Sequence, residues 1–349
     1  MSTGAIRPLI SVCIPAYNRA HYLAPLLDSV LTQNFDDFEI VICEDHSPER
    51  VAIRRIAQSY VESSPNRIRY FENEINLGYD ANIRQLVEKA SGQYCFFMGN
   101  DDLMCPGSLR HLAELIQKHP GLGFVLRGYA VFDQTPDKIL HELRYFSDER
   151  ELPAGEEAIV ICYRRSGVIS GYIIHRDDAR AAATDKFDGT LYYQMHLTSS
   201  VLWRRNAVCT PRIMVLCRAN EPPDFGNSDK EKGVYTPGRY TVAARLNMVR
   251  GALSIIADFD ASHATRLRSL VVQDYANYFY PFIVDQLTLP LRDYLNLYRG
   301  YCRMGFWRYP MFHLYCAVCY LLGARRFDWL TRAVRGLLGR NIRFGMMAR

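Results

Sequence analysis

Leu9-Ile10-Ser11-Val12-Cys13-Ile14, followed at once by Pro15-Ala16-Tyr17-Asn18, decides the fold. The first six residues form a β-branched and apolar run of strand length, and the next four are unsuited to a core. The alternation continues downstream. Strands are expected at 9–14, 38–43, 68–71, 94–98 and 123–126, with helical patterns at 22–31, 51–61, 81–90 and 108–118 between them. Short strands alternating with longer helices specify a parallel sheet with crossover helices. Three more strands end, like the first, in polar clusters: Glu44-Asp45-His46-Ser47, Asn76-Leu77-Gly78 and Asn100-Asp101-Asp102. In an open α/β sheet the carboxyl ends of parallel strands line the ligand crevice, so clusters far apart in sequence converge on one rim.

Beyond Arg127 the pattern loosens. A strand is expected at 166–175, a helix at 191–204 and a strand at 208–216, then a polar loop marked by Pro and Gly at 218–238 and helices at 240–257 and 265–284. The chain therefore divides into an α/β domain at 1–238 and a helical region at 239–349. With 349 residues, 49% of them hydrophobic, it can bury a core of that size. Its ten cysteines have no framework spacing, and no signal-peptide pattern opens the sequence, which points to a cytoplasmic, reducing setting. Cys316-Ala317-Val318-Cys319 has no partner pair and reads as one packed helix face.

Charge is unevenly placed. Of the net +5, the stretch 299–349 holds ten Arg, no Lys and one acid, Asp328, for +9, so the other 298 residues carry −4. The arginines are interleaved with large apolar residues and belong to no nucleic-acid-binding module, which favours an anionic membrane surface over nucleic acid. Within this tail, 311–324 is apolar and bracketed by Trp307, Arg308 and Tyr309 on one side and Arg325 and Arg326 on the other. It falls short of the roughly 20 residues of a spanning helix. Either it lies in a membrane interface, continued by a basic amphipathic stretch at 329–338, or it is a core helix of the C-terminal region.

Asn100-Asp101-Asp102 is the sharpest chemical signal. Adjacent acids at a strand end repel one another unless a cation sits between them, and a hard divalent ion needs only one or two protein carboxylates when a diphosphate supplies the remaining oxygens. A helix follows closely, so capping of a helix start is the competing reading.

From 8 to 215 the chain resembles the family-2 inverting glycosyltransferases. Ile10 to Arg19 is similar to that family's opening strand and its Pro-x-Tyr-Asn turn, and Glu44-Asp45-His46-Ser47 to its Asp-Asp-Gly-Ser motif. Asn76-Leu77-Gly78, with Asn82 and then Ser91-Gly92-Gln93-Tyr94, resembles the segment leading into its metal-binding strand. The resemblance implies a GT-A fold, a Rossmann-like nucleotide-diphospho-sugar transferase domain. It implies donor contacts from Pro15, Ala16, Tyr17, Asn18, Arg19, Glu44, Asp45, Asn76, Gly78, Asn82, Asn100 and Asp101. It implies a divalent ion, Mn2+ or Mg2+, on Asp101, with Asp102 as a further ligand or a ribose contact. The family's first metal-motif acid falls on Gly99, a departure similar to the branch containing O-antigen sugar transferases such as abequosyltransferase. Phe187-Asp188-Gly189 resembles the family's Phe-Asp-Glu turn, whereas its later Glu-Asp pair falls on Tyr193-Gln194. Asp188 and His196 are the base candidates, His196 because imidazole titrates near neutral pH.

The activity implied is inverting transfer of a hexosyl or deoxyhexosyl unit from a nucleotide-sugar to a hydroxyl of a lipid-linked, polyprenyl-diphosphate glycan. The setting implied is O-antigen or another bacterial surface polysaccharide, peripheral to the cytoplasmic face of the inner membrane. A catalytically inactive nucleotide-sugar-binding scaffold is the alternative. Arg218-Ala219-Asn220 and Gly226-Asn227 resemble a loop after the last strand of related catalytic domains, where an Arg can clamp a diphosphate; a solvated loop is the other reading.

Overall fold

The structure is a computed structural model and describes residues 7–337. It separates into two units, Met1–Lys232 and Gly233–Arg349, dividing inside the polar loop marked at 218–238.

The first unit runs β1 (Ile10–Ala16), α1 (Ala20–Leu31), β2 (Phe38–Glu44), α2 (Arg50–Ser63), β3 (Ile68–Glu72), α3 (Tyr79–Lys89), β4 (Tyr94–Phe97), β5 (Leu103–Met104), α4 (Ser108–Lys118) and β6 (Leu122–Phe132). It continues through β7 (Ile139–Leu143), β8 (Arg150–Leu152), α5 (Glu156–Tyr163), β9 (Tyr172–His175), α6 (Arg176–Ala181), α7 (Tyr193–Leu202) and β10 (Asn206–Arg218). Among the described residues these strands make one ten-stranded sheet in the order β3-β2-β1-β4-β9-β6-β10-β5, with β7 on β6 and β8 on β10. β1 is parallel to β2, from Ile10↔Phe38 to Ala16↔Glu44, and parallel to β4 on its other edge. Helices cover both faces of such a strand, and Ile10, Val12, Cys13 and Ile14 are accordingly all fully buried.

β9 breaks the parallel order, running antiparallel to both β4 and β6. The strand expected at 166–175 is present only as Tyr172–His175; Arg164–Gly167 is a single 3-10 turn. The reason lies at Gly171, whose φ is 76° and whose Cβ, if present, would lie 2.5 Å from Nε of the buried Arg127. The chain must turn there before a strand can start.

The amino ends of the strands are tied by one buried carboxylate. Glu39 on β2 accepts from Ser11 Oγ on β1 at 2.6 Å, from Ser91 N at 2.6 Å and Oγ at 2.7 Å, and from Arg69 on β3 at 3.1 Å. Gly92 sits so close to this junction that a Cβ would be 2.6 Å from Ser11 N.

The second unit contains α8 (Val242–His263), α9 (Leu267–Asn277), α10 (Leu291–Arg303) and α11 (Pro310–Leu337). Thr241 Oγ1 caps α8 by accepting from Ala244 N at 3.1 Å. Its core is aromatic: the rings of Tyr301, Phe306 and Phe312 each lie 4.8 Å from that of Phe279. The apolar stretch at 311–324 turns out to be half core: Phe312, Tyr315, Cys316 and Cys319 are buried, while Leu314 and Leu321 are exposed. At Gly323 the helix breaks, with φ 71° and ψ 164°. Among the described residues no helix is long and apolar enough to cross a membrane. Of the tail arginines, the side chains from Arg332 onward lie outside the described residues.

Candidate active site

The polar clusters converge at the carboxyl ends of β1 to β4. After β1 the chain makes two consecutive left-handed residues, Asn18 at φ 52° and Arg19 at φ 57°. Asparagine tolerates that conformation and arginine does so at a cost. The turn puts Arg19 across the rim, where its guanidinium pairs with Asp101, reaches Asp224 at 3.3 Å and donates to the Pro222 carbonyl. α1 starts just beyond it, its Ala20 N–H received by Glu49 at 2.8 Å. Asn100 Nδ2 donates to the Asn18 carbonyl at 2.9 Å and fastens the turn to the end of β4.

Asp45 sits at the end of β2 in a cradle of fixed donors. Its Oδ1 accepts from Leu77 N at 2.9 Å and Asn73 Nδ2 at 2.8 Å, and its Oδ2 from Gly78 N at 2.9 Å. Burial nevertheless outweighs these donors and pushes the carboxyl up to about 6. Its neighbour Glu44 is fully buried and gives one oxygen to His46 N at 2.9 Å and the other to Ser47 N at 2.7 Å. In this conformation Glu44 shapes the turn and offers no surface to a nucleotide. Asn82 behaves similarly, donating to the Cys43 carbonyl at 3.2 Å from a buried position on α3. Asn76 Oδ1 accepts from Gly78 N at 3.0 Å. The Tyr17 phenol is raised by burial and by the Asp224 and Asp45 carboxylates.

Asp101 and Asp102 form the acidic end of the rim. Asp102 Oδ2 accepts from Ser170 Oγ, which in turn accepts from Gly99 N at 2.8 Å, and Asp102 Oδ1 accepts from Arg218 N at 2.7 Å. Burial raises both carboxyls; Asp101 pushes Asp102 further up, while Arg19 opposes the rise at Asp101. Gly99 has a physical reason to be glycine, since a Cβ would lie 3.0 Å from Ser170 Oγ and 3.3 Å from both Asp101 Oδ1 and Asp102 Oδ2. A third acid there would be forced against the other two.

The residues present fit a hard divalent ion. All donors are oxygens, the two carboxylates are adjacent, Asp102 buried and Asp101 partly so, and the charge now balancing Asp101 is a side chain able to swing away. No group of three His, Cys, Asp or Glu suited to a metal exists among the described residues, so the protein would supply one or two ligands and a diphosphate the rest.

The loop after β10 closes this rim. Arg218 stacks on Tyr22 at 3.9 Å and Phe132 at 4.6 Å from the ring centroids, and its Nε donates to the Asp101 carbonyl at 3.1 Å. It is packed, which removes the solvated-loop reading for this residue. Glu231, buried, accepts from Tyr79 N at 2.8 Å and Gly226 N at 2.9 Å and so pins the loop to the start of α3. Sequence reasoning missed Ser170, Asp224 and Glu231. The acids in the loop at 218–238 were a usable signal; Ser170 had none, because it precedes a strand whose antiparallel placement is a tertiary property.

Asp188 and His196 belong to a second cluster. Both Asp188 oxygens accept from Arg84, at 2.5 and 2.9 Å. His196 Nε2 lies 2.8 Å from the Ala182 carbonyl, which can only accept, so this nitrogen carries the proton; the ring packs 4.9 Å from that of Phe187. Asp80, buried on α3, accepts from Leu191 N and Tyr193 N, both at 2.9 Å, and anchors the same segment. A cavity of about 240 Å³ shares Arg84 and Tyr193 with this cluster and includes none of the rim residues.

A mixed α/β sheet with helices on both faces, polar turns at the carboxyl ends of its parallel strands and paired acids after the fourth strand is the architecture of a GT-A fold. Residues 11–175 match the family described as Glycosyl transferase family 2. Among curated relatives it is similar to abequosyltransferase RfbV of Salmonella typhimurium, 36% identical over 29% of this chain and 30% of that protein. It is also similar to the putative glycosyltransferase EpsE of Bacillus subtilis, 30% identical over 36% of this chain and 45% of that protein. A Rickettsia felis glycosyltransferase is 28% identical over 47% of this chain and 26% of its own length. The matched stretch thus spans less than half of each relative. Among solved structures, S. aureus TarS 1-349 with UDP superposes with TM-score 0.59 at 14% identity, over 97% of this chain and 94% of that one. The mannosyltransferase PcManGT from Pyrobaculum calidifontis, with GDP-Man and Mn2+, gives 0.52 at 14% identity, over 91% and 88%. These likenesses are of fold.

Proposed function

We propose that the chain transfers a hexosyl or deoxyhexosyl unit, with inversion, from a nucleotide-sugar to a hydroxyl of a polyprenyl-diphosphate-linked glycan during assembly of a bacterial surface polysaccharide such as an O-antigen. The observation that carries this reading is the convergence of Tyr17, Asn18, Arg19, Asp45, Asn76, Gly78, Asn100, Asp101 and Asp102 on one rim. The similarity to an abequosyltransferase, 36% identical over 29% of this chain, supports the polysaccharide setting.

In this mechanism the turn after β1, from Pro15 and Ala16 through Asn18, and the Asp45 cradle hold the nucleoside. Asp101, with Asp102 beside it, would hold the divalent ion, which when bound would supply Lewis-acid stabilisation of the departing diphosphate. Arg19 gives up Asp101 and turns its guanidinium to the diphosphate oxygens, a bidentate match. Arg218 backs Asp101 through its carbonyl. Asp188 is the base: each carboxylate oxygen has a second lone pair beyond the one used by Arg84, so it can accept the acceptor's hydroxyl proton. His196 positions the turn of Phe187 and Asp188. The lipid-linked acceptor brings the chain to the cytoplasmic face of the inner membrane.

The test is thermal stabilisation by UDP, dTDP, CDP and GDP, with and without Mn2+ or Mg2+, paired with turnover of the cognate donor. One nucleotide is expected to stabilise in a metal-dependent way. Asp188→Asn should cut kcat by about 10²-fold or more while leaving that stabilisation intact. A nucleotide that binds without any turnover across acceptors would instead favour the scaffold, to which the engaged Asp188 and the Tyr193-Gln194 pair already lend weight.

A further inference from the structure

The outer face of α11 is an unusual face to leave in water. Its exposed positions, starting just ahead of the helix, are Trp307, Arg308, Pro310, Leu314, Ala317 and Leu321, and apart from Arg308 at the end they form an apolar row at helical spacing. Trp307 is 58% exposed, Leu314 53% and Leu321 78%. A surface helix normally turns polar residues outward. Here the inward face, with Phe312, Cys316 and Cys319, is already core, so the helix is apolar on both sides and one side stays uncovered. Past the break at Gly323, the exposed residues are Arg325, Arg326, Trp329 and Leu330. Arg303 and Arg308 stand exposed at the other end.

Tryptophan and arginine bracketing an apolar row is the arrangement of a helix lying in a lipid interface, with indoles at headgroup depth and guanidinium groups on phosphate. Charge selects among possible occupants, since 299–349 carries ten Arg, no Lys and one acid. A second copy of the chain would bring the same positive charge against it. We propose that Trp307, Leu314, Leu321 and Trp329 insert into the interfacial layer of an anionic phospholipid bilayer, with Arg303, Arg308, Arg325 and Arg326 on the headgroup phosphates. The assignment names the surface that the lipid-linked acceptor requires and rests on that reading for its purpose.

The experiment is flotation of the full chain with vesicles of phosphatidylcholine alone or mixed with phosphatidylglycerol, read also by tryptophan emission. The wild type should float with the anionic vesicles, with emission shifted to the blue and binding weakened by salt. Leu314→Glu with Leu321→Glu should lose at least about tenfold in partitioning and keep the wild-type melting temperature, because both positions are exposed. Arg325→Gln with Arg326→Gln should lose roughly fivefold per charge on anionic vesicles only. Equal flotation of the glutamate variant and the wild type would overturn the proposal. So would a wild type that stays off both vesicles, or one that instead dimerises until glutamate separates the copies. Asp101→Ala should float like the wild type, so failure of the catalytic reading and failure of the lipid face are told apart.

Discussion

Asp45 and the pair Asp101 and Asp102 sit at the same rim, and their buried charge is met in different ways. Around Asp45 the donors are mostly backbone: Leu77 N, Gly78 N and one amide, from Asn73. Around the pair they are mostly side chains, Arg19 and Ser170, with a single backbone N–H from Arg218. Backbone donors are fixed by the fold and cannot leave without unfolding a turn. A guanidinium leaves by rotating its own bonds. The first cradle therefore has a permanent shape, as the proposed nucleoside site requires, and the second has a partner that can leave, as the proposed metal site requires.

The largest expected effect lies at the exchangeable end. Asp101→Asn should abolish metal-dependent nucleotide stabilisation, a loss of about 2.7 kcal/mol at a nucleotide concentration near 100 times its dissociation constant, and cut turnover by about 10²-fold or more. If that variant binds nucleotide and metal like the wild type, the exchange reading fails. Asp45→Asn should act on stability first. An amide offers one accepting oxygen where three N–H groups point, so the cost is about 2–3 kcal/mol in urea denaturation. The Asp45 carboxyl is raised in the folded state, so the stability it adds is fully present below its unfolded value near 4 and is lost as pH rises through about 6. The penalty of Asp45→Asn should consequently shrink between about pH 4 and pH 6, and a penalty that grows with pH would reverse the sign. Ser170→Ala removes one donor from buried Asp102 and should cost about 1–2 kcal/mol, with the metal requirement kept. His46→Gly is the smallest change and the only gain. His46 is held at φ 54°, and relieving it should add about 0.5–1 kcal/mol to thermal stability.

Much of the sheet was legible because its parallel strands are buried on both faces and read as unbroken apolar runs. The expected helix at 108–118 coincides with Ser108–Lys118, and the strand at 38–43 extends one residue to Glu44. What could not be read depends on contacts between distant segments. Nothing local marks β9 as antiparallel, and β7 and β8 are short pieces made strands by β6 and β10. At the site, residue type and position after a strand put Asp45, Asp101 and Asp102 on the rim where the structure places them. They could not show that Glu44 turns inward, that Asp188 lies on Arg84, or that Glu231 reaches Tyr79 across 152 residues of sequence. Side-chain direction at a turn follows from backbone angles, and those are set by packing.

Glu39 has a consequence away from any ligand. It joins β1, β2, β3 and the turn before β4 at the amino ends of the strands, opposite the edge where the polar turns emerge. Side chains alternate along a strand, so a slip of one residue in β2 would send this carboxylate to the other face and strand three sets of donors at once. Register is thereby indexed at one edge of the sheet, leaving the opposite edge free to vary. Turns borrowed from related transferases could be grafted after β1 to β4 without renegotiating strand pairing, provided Ser11, Glu39, Ser91 and Gly92 are kept as the base plate.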